Sequence, residues 1–258
     1  MTKTFAEQLC FAAVKNKGGA IDFVPEKLRT KELCLLAVKT YGAAIEYVPE
    51  KLRTKELWLT AVKNAGWLLQ YVPEKFRTQE IYLAAVKKNN WAWHGIIALE
   101  HVPEKFKTAK LCYEAVKTYG AALEFVPEKL KTKKLCLMAV GNCYDMLEYV
   151  PKKLRTREIY LTAVKKNGTM LGHVPKKFKT PKLCLAAAKK SRYQVEYIPD
   201  EIKSPKFCKT LVQLNGNALK WVPEKLKTTG LCLMAVKTWA GALEFVPREF
   251  FYLNSKCS

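Results

Sequence analysis

Nine cysteines, three histidines and a set of interleaved aromatic and basic residues are the side chains of this 258-residue sequence with the chemistry to bind or react. Cysteine comes first, because a thiolate can hold a metal, attack an electrophile or oxidise to a disulfide. Its spacing removes most of that chemistry. Cys10, Cys34, Cys112, Cys136, Cys184, Cys208 and Cys232 recur at one position of a regular pattern, and Trp58, Tyr82 and Tyr160 fill that position elsewhere. Adjacent equivalents belong on neighbouring elements, beyond the ~7 Å between Cα atoms that a disulfide spans. They read as small apolar packing residues in a reducing compartment, and the tolerance for tryptophan places them beside a groove. Cys143 and Cys257 stand outside the ladder with no zinc-ligand spacing, while His101 and His173 take the place of Tyr47 or Phe125. There is no glycine-rich phosphate loop, no G-x-S-x-G and no H-E-x-x-H, and the acids form regular ladders rather than a converging pair. No catalytic residue, metal or cofactor is expected.

Residues suited to binding fall into three groups. One is a six-residue insertion carrying Asn89, Asn90, Trp91, Ala92, Trp93, His94 and Gly95. Two tryptophans and a histidine beside a turn suit an aromatic docking site for a base or a proline, or else fill the space that a longer helix opens. The second group is Tyr41, Trp67, Tyr119, Tyr144, Arg192, Tyr193 and Trp239, near the lysines that end each long helix. Aromatics among cations suit a surface that stacks bases and holds phosphates, and equally a protein-binding rim.

The third group is basic. One ladder runs Lys27, Lys51, Lys75, Lys105, Lys129, Lys153, Lys177 and Lys225; the other runs Arg29, Arg53, Arg77, Lys107, Lys131, Arg155, Lys179, Lys203 and Lys227. On repeats about 10 Å apart each ladder becomes a stripe, which suits a polyanion. Glu26, Glu50, Glu74, Glu104 and Glu128 stand beside the first ladder and partly neutralise it. Beyond them Lys152, Lys176 and Arg248 take acid positions, so Lys152, Lys153, Arg155, Lys176, Lys177 and Lys179 are where a polyanion is expected first.

Forty-five Lys and Arg against 23 acids give a formal charge of +22. That field attracts nucleic acid foremost, an acidic protein next and an anionic membrane surface less, although a lysine-rich coat also serves solubility. No run approaches the roughly 20 apolar residues of a membrane span. Met1 to Val14 carries Glu7 and lacks a signal cleavage site, so a cytoplasmic protein is expected.

These residues are carried by a repeat. A Val/Ile-Pro pair recurs at Pro25, Pro49, Pro73, Pro103, Pro127, Pro151, Pro175, Pro199, Pro223 and Pro247, spaced by 24 residues except for one interval of 30. Thr30 and its equivalents can cap a helix of about three turns whose apolar residues, such as Leu33, Cys34, Ala37 and Val38, share one face. A lysine closes the helix, and glycine at Gly18, Gly42, Gly66, Gly120, Gly168 and Gly216 is expected to supply a left-handed C-terminal cap. The second half must be short, because proline follows. Pro-Glu-Lys-Leu begins a further turn with proline at the first helical position, and its Leu28, Leu52, Phe76 or Phe106 tucks under the next long helix. Stacked units share one core. The expected fold is an all-α α-solenoid, a right-handed superhelix of ten 24-residue repeats forming a single domain over 1–258 with an insertion within 88–100. Its C-terminal end, Phe250, Phe251, Tyr252 and Leu253, is apolar where solenoids usually carry polar caps, an edge suited to docking or homo-oligomerisation.

The run L-C-L-x-A-V-K-x-x-G-x-A-L-E-Y-V-P-E-K-L, at Leu111 to Leu130 and Leu231 to Phe250, resembles the bacterial and protist tandem repeats called domain of unknown function 4116. The resemblance covers nearly the whole chain and implies a helical array with no established activity. In length the unit is also similar to leucine-rich variant repeats, which alternate a helix with a 3₁₀ turn, although their motif is not matched. Together these features lead to a non-catalytic helical-repeat scaffold with a basic surface that engages an acidic macromolecule. The alternative is a protein-interaction adaptor using the groove and Trp91 and Trp93.

Overall fold

The hydroxyl ladder starts the helices. Thr30, Thr54, Thr108, Thr132, Thr180, Ser204 and Thr228 hold extended backbone and accept the N–H three residues on, as Thr30 Oγ1 does from Leu33 at 3.3 Å. Thr4 does so in a reciprocal box with Glu7. The computed structural model describes residues 4–88 and 97–251, with the backbone alone of Arg192 and Tyr193. Its long helices are α1 (Phe5–Asn16), α2 (Lys31–Thr40), α3 (Lys55–Asn64), α4 (Gln79–Lys87), α5 (Ala109–Thr118), α6 (Lys133–Asn142), α7 (Arg157–Lys166), α8 (Pro181–Lys190), α9 (Pro205–Leu214) and α10 (Thr229–Thr238). In α2 the buried residues are Leu33, Cys34, Ala37 and Val38, the face that the sequence spacing predicts. Thr78 and Thr156 depart from the ladder. Their buried hydroxyls have no partner among the described residues, and they head the two helices with tyrosine in the cysteine position, Tyr82 and Tyr160.

The left-handed cap does not form. Tyr41, which ends α2, is extended at φ −143°, and no described glycine lies in the left-handed region. The glycine is required by a close approach instead. A Cβ on Gly42 would stand 2.8 Å from the carbonyl oxygen of Ala61 in α3, and one on Gly168 would stand 2.6 Å from that of Ala187 in α8. Each glycine thus lets the start of its short segment press against the end of the next repeat's long helix. Helix ends leave carbonyls unpaired, which brings polar backbone to this junction. At Gly66 the approach becomes a bond, its N–H donating to Lys88 O at 3.2 Å.

The short segments are six-residue 3₁₀ helices such as Gly42–Tyr47 and Gly120–Phe125, each followed by a three-residue 3₁₀ turn such as Glu50–Leu52. Proline precedes that turn rather than opening it. Pro49 has φ −53° and ψ 137°, outside helical values, and its carbonyl accepts the N–H of Leu52. The aromatic member of the turn makes a ring contact with the preceding long helix. The Phe106 ring lies 5.1 Å from that of Tyr82, and Phe178 lies 5.0 Å from Tyr160. Leu52, at the same position, lines a small hollow between Cys34 of α2 and Leu57 of α3.

The chain divides into two compact units, Met1–Pro151 and Lys152–Ser258. In the first, α1 to α6 each pack on the next, and most six-residue 3₁₀ helices lie between their own long helix and the following one. Helices α7 to α10 do the same in the second unit. Neither unit has a strand among the described residues.

Two glycines separate packing from propensity. Gly42→Ala should destabilise by about 1–3 kcal/mol, because the added methyl meets backbone that cannot retreat. Gly230→Ala, in the first turn of α10, where an added methyl would meet nothing within 4 Å, should stabilise by about 0.5 kcal/mol. Urea unfolding of the two variants gives the signs.

Candidate functional site

The two basic ladders have different structural settings. Arg29 donates from Nε to Val24 O at 2.8 Å, from Nη2 to Asp22 O at 3.2 Å and from Nη1 to Tyr47 O at 2.6 Å. Arg53 and Arg77 make the first two of these bonds, to Val48 and Glu46 and to Val72 and Gln70. Lys131, Lys179 and Lys227 reach the carbonyls of Tyr149, Tyr197 and Phe245, the counterparts of Tyr47. These cations close the carbonyl ends of the 3₁₀ helices, where no backbone N–H arrives. Lys107, Lys131, Lys203 and Lys227 also pair with Glu104, Glu128, Asp200 and Glu224, the lysine side chains only 6–9% exposed and the acids 70–78%. The ladder from Arg29 to Lys227 is therefore an inner structural column and not the solvent stripe expected of it. Arg155 and Lys179 belong to it, both half-buried, and Lys179 also lies over the Tyr197 ring.

The outer ladder is different. Lys27, Lys51, Lys75, Lys105, Lys129, Lys153, Lys177 and Lys225 are exposed and join no ion pair among the described residues. Of the acids expected to neutralise this ladder, Glu104 and Glu128 pair with the inner one instead, as do Asp200 and Glu224, since a three-residue spacing in a 3₁₀ turn superposes the two side chains. Lys75, Lys105 and Lys177 sit 5.1, 5.2 and 5.2 Å from the centres of the Phe76, Phe106 and Phe178 rings. Lys152 is likewise exposed and outside any ion pair among the described residues, whereas Lys176 pairs with Glu201 of the next repeat. The hydrogen bond from Lys176 holds the Glu201 carboxyl below its ordinary range, and Lys203 does the same for Asp200.

Of the aromatic group, Tyr41, Tyr119 and Trp239 share one position, the extended residue after a long helix. Tyr41 and Trp239 are exposed and Tyr119 is half-buried. Trp239 lines a cleft of about 570 Å³ with Lys189, Lys190 and Asn215, so an aromatic and two helix-ending cations do converge there. Trp67 does not join that position. It follows the glycine, meets Tyr71 edge to face at 5.9 Å and lines a separate cleft of about 430 Å³ with Trp58, Arg53 and Phe76. Tyr144 is half-buried and opens the 3₁₀ helix Tyr144–Tyr149. Trp91, Trp93 and His94 lie outside the described residues, as do the side chains of Arg192 and Tyr193 and the residues Tyr252, Leu253 and Cys257. Leu233, Leu243 and Phe251 of the last repeat are exposed.

The cysteine ladder lines the core. Cys34, Cys112, Cys136, Cys184, Cys208 and Cys232 are buried free thiols, and burial pushes Cys112 and Cys184 up to about 11. No group of three or more His, Cys, Asp and Glu residues is placed to hold a metal among the described residues.

Long helices alternating with short 3₁₀ helices at a 24-residue period define an all-α tandem-repeat solenoid. The chain belongs to the family described as a domain of unknown function, DUF4116, which matches residues 7–53, 54–107, 110–155 and 156–203. Each match spans two of the 24-residue units, and the one over 54–107 includes the insertion. No curated protein and no solved structure matches the chain. No helix among the described residues is long and apolar enough to cross a membrane.

Burial and a raised pKa both keep Cys112 and Cys184 unreactive. Iodoacetamide at about pH 8, near the ordinary thiol value, should label the half-buried Cys143 in the native protein and leave Cys112 and Cys184 unlabelled until denaturant is added. Peptide mass spectrometry reads the pattern.

Proposed function

We propose that this protein is a non-catalytic repeat scaffold with a basic surface that binds an acidic macromolecule, nucleic acid foremost. The observation that carries the reading is the division of charge between the ladders. Surface acids of the three-residue turns pair with the covered Lys107, Lys131, Lys203 and Lys227, while the outer lysines stay exposed without an ion-pair partner among the described residues. Repeated along stacked turns, ammonium groups of one sign sum to a field that favours a polyanion over a neutral or cationic partner. Exposed lysines in the last turns of α2, α3, α5, α7, α8 and α10 add cations beside Tyr41, Tyr119 and Trp239.

The reactive side chains support the non-catalytic part. The ladder thiols from Cys34 to Cys232 are buried, and inner cations are engaged with backbone or with an acid, which leaves repeated surface groups rather than one unique cleft of reacting residues. Free thiols at this density fit a reducing, cytoplasmic setting. An acidic protein is the competing partner, and nuclease treatment of captured material separates it from nucleic acid.

Binding to single- and double-stranded oligonucleotides should weaken steeply with salt, with log K linear in log salt concentration. Replacing Lys153 and Lys177 with Gln should reduce the steepness by about 1 for each phosphate deprived of its lysine, with thermal unfolding unchanged. Absence of binding to either form at low salt would overturn the reading.

A further inference from the structure

The cleft of about 430 Å³ in the first unit exists where the repeat departs from its own pattern twice. Trp58 stands in the cysteine position, and Trp67 stands where Ala43 and Ala121 stand in other repeats. The volume falls in the range of roughly 300–1,000 Å³ that small-molecule sites occupy. Four aromatic residues line it, Trp58, Trp67, Tyr71 and Phe76. Trp58 is only 4% exposed, and its indole N–H is buried with no acceptor among the described residues.

Its polar groups have both signs. Arg53 gives Nε to Val48 O at 2.7 Å and Nη2 to Glu46 O at 2.8 Å, leaving Nη1, which in Arg29 reaches Tyr47 O, without a partner among the described residues. Glu46 and Glu50 supply acceptors at the same cleft, and Lys75 supplies an exposed ammonium. A ligand that satisfies this set needs a flat π face for the rings. On its edge it needs acceptors for Arg53 and donors for the carboxylates, with a negative charge alongside for Lys75. An apolar side chain would desolvate Arg53 and the two acids with nothing in return. A bare phosphate would use none of the rings and would meet Glu46 and Glu50. A nucleobase attached to its phosphate meets every requirement.

We infer that the Trp58–Trp67 cleft holds one unstacked base of a single-stranded nucleic acid, with the adjoining phosphate at Lys75. A duplex keeps its bases stacked and its faces covered, so only a single strand or a loop can present one. The inference rests on the polyanion reading above and adds to it the strandedness and the place where a base is taken.

The test uses the full chain and two fluorescein-labelled strands of about 20 nucleotides, one of oligothymidylate and one abasic with the same number of phosphates, at the same salt. The protein should bind the base-bearing strand roughly tenfold tighter. Trp67→Ala, which installs the residue that other repeats carry, should bring the two strands to nearly equal affinity while leaving abasic binding unchanged. Tyr71→Ala, at a side chain 60% exposed, should have the same effect and covers the case in which the tryptophan variant does not fold. Equal affinity of the unmodified protein for both strands overturns the base site while the polyanion reading stands. A base preference that survives in both variants overturns it as well. Binding to neither strand removes the polyanion reading and the base site with it.

Discussion

The six-residue 3₁₀ helices end on carbonyls that no backbone N–H reaches, and the missing donor comes from an Arg just after the helix or from an Arg or Lys one repeat earlier. Arg29 does this for Asp22 and Val24 and reaches on to Tyr47 of the next repeat. A charged donor to a carbonyl contributes about 2 kcal/mol, and losing it strands the buried acceptor as well. At Arg29 the same side chain therefore ends one element and holds its successor. Close approach at glycine does the complementary work at the other end of the short helix, where Gly42 meets Ala61. Between these two junctions the repeat period is set by backbone geometry as much as by the apolar face.

That inner column changes how a formal charge of +22 is to be understood. Cations bonded to carbonyls or to the acid three residues earlier are largely covered, while the acids that pair with them stay at the surface with one carboxylate oxygen engaged. The remaining lysines, from Lys27 to Lys225, are exposed two residues before each inner cation. One turn thus carries a structural cation and an exposed one. The separation also explains why the sequence can vary Arg and Lys within the inner column: both donate to a carbonyl, although only Arg makes the two-carbonyl fork seen at Arg53 and Arg77.

Much of this is legible in the sequence. The capping hydroxyls and the buried quartet such as Leu33, Cys34, Ala37 and Val38 follow from local spacing, and local spacing is what determines them. Gly42 is different, because a glycine after a helix looks the same whether it turns left-handed or admits a neighbour, and the neighbour, Ala61, lies in the next repeat. Lys27 and Arg29 are two residues apart in a turn whose sides face different surroundings, which composition cannot reveal; the acid three residues before the inner cation is the available signal. Trp58 and Trp67 are each visible as departures, but their convergence on one cleft depends on how α3 returns into the short helix Gly66–Tyr71.

The central claim is that the inner cation is a structural part and the outer one is not. Guanidinium-induced unfolding of Arg29→Met and Lys27→Met measures it directly. The account gives a loss of about 2 kcal/mol or more for Arg29→Met, which takes the donor from the carbonyls of Asp22, Val24 and Tyr47, and a change within about 0.5 kcal/mol for Lys27→Met at an exposed site. Equal effects of the two substitutions, or a larger loss at Lys27, would contradict it.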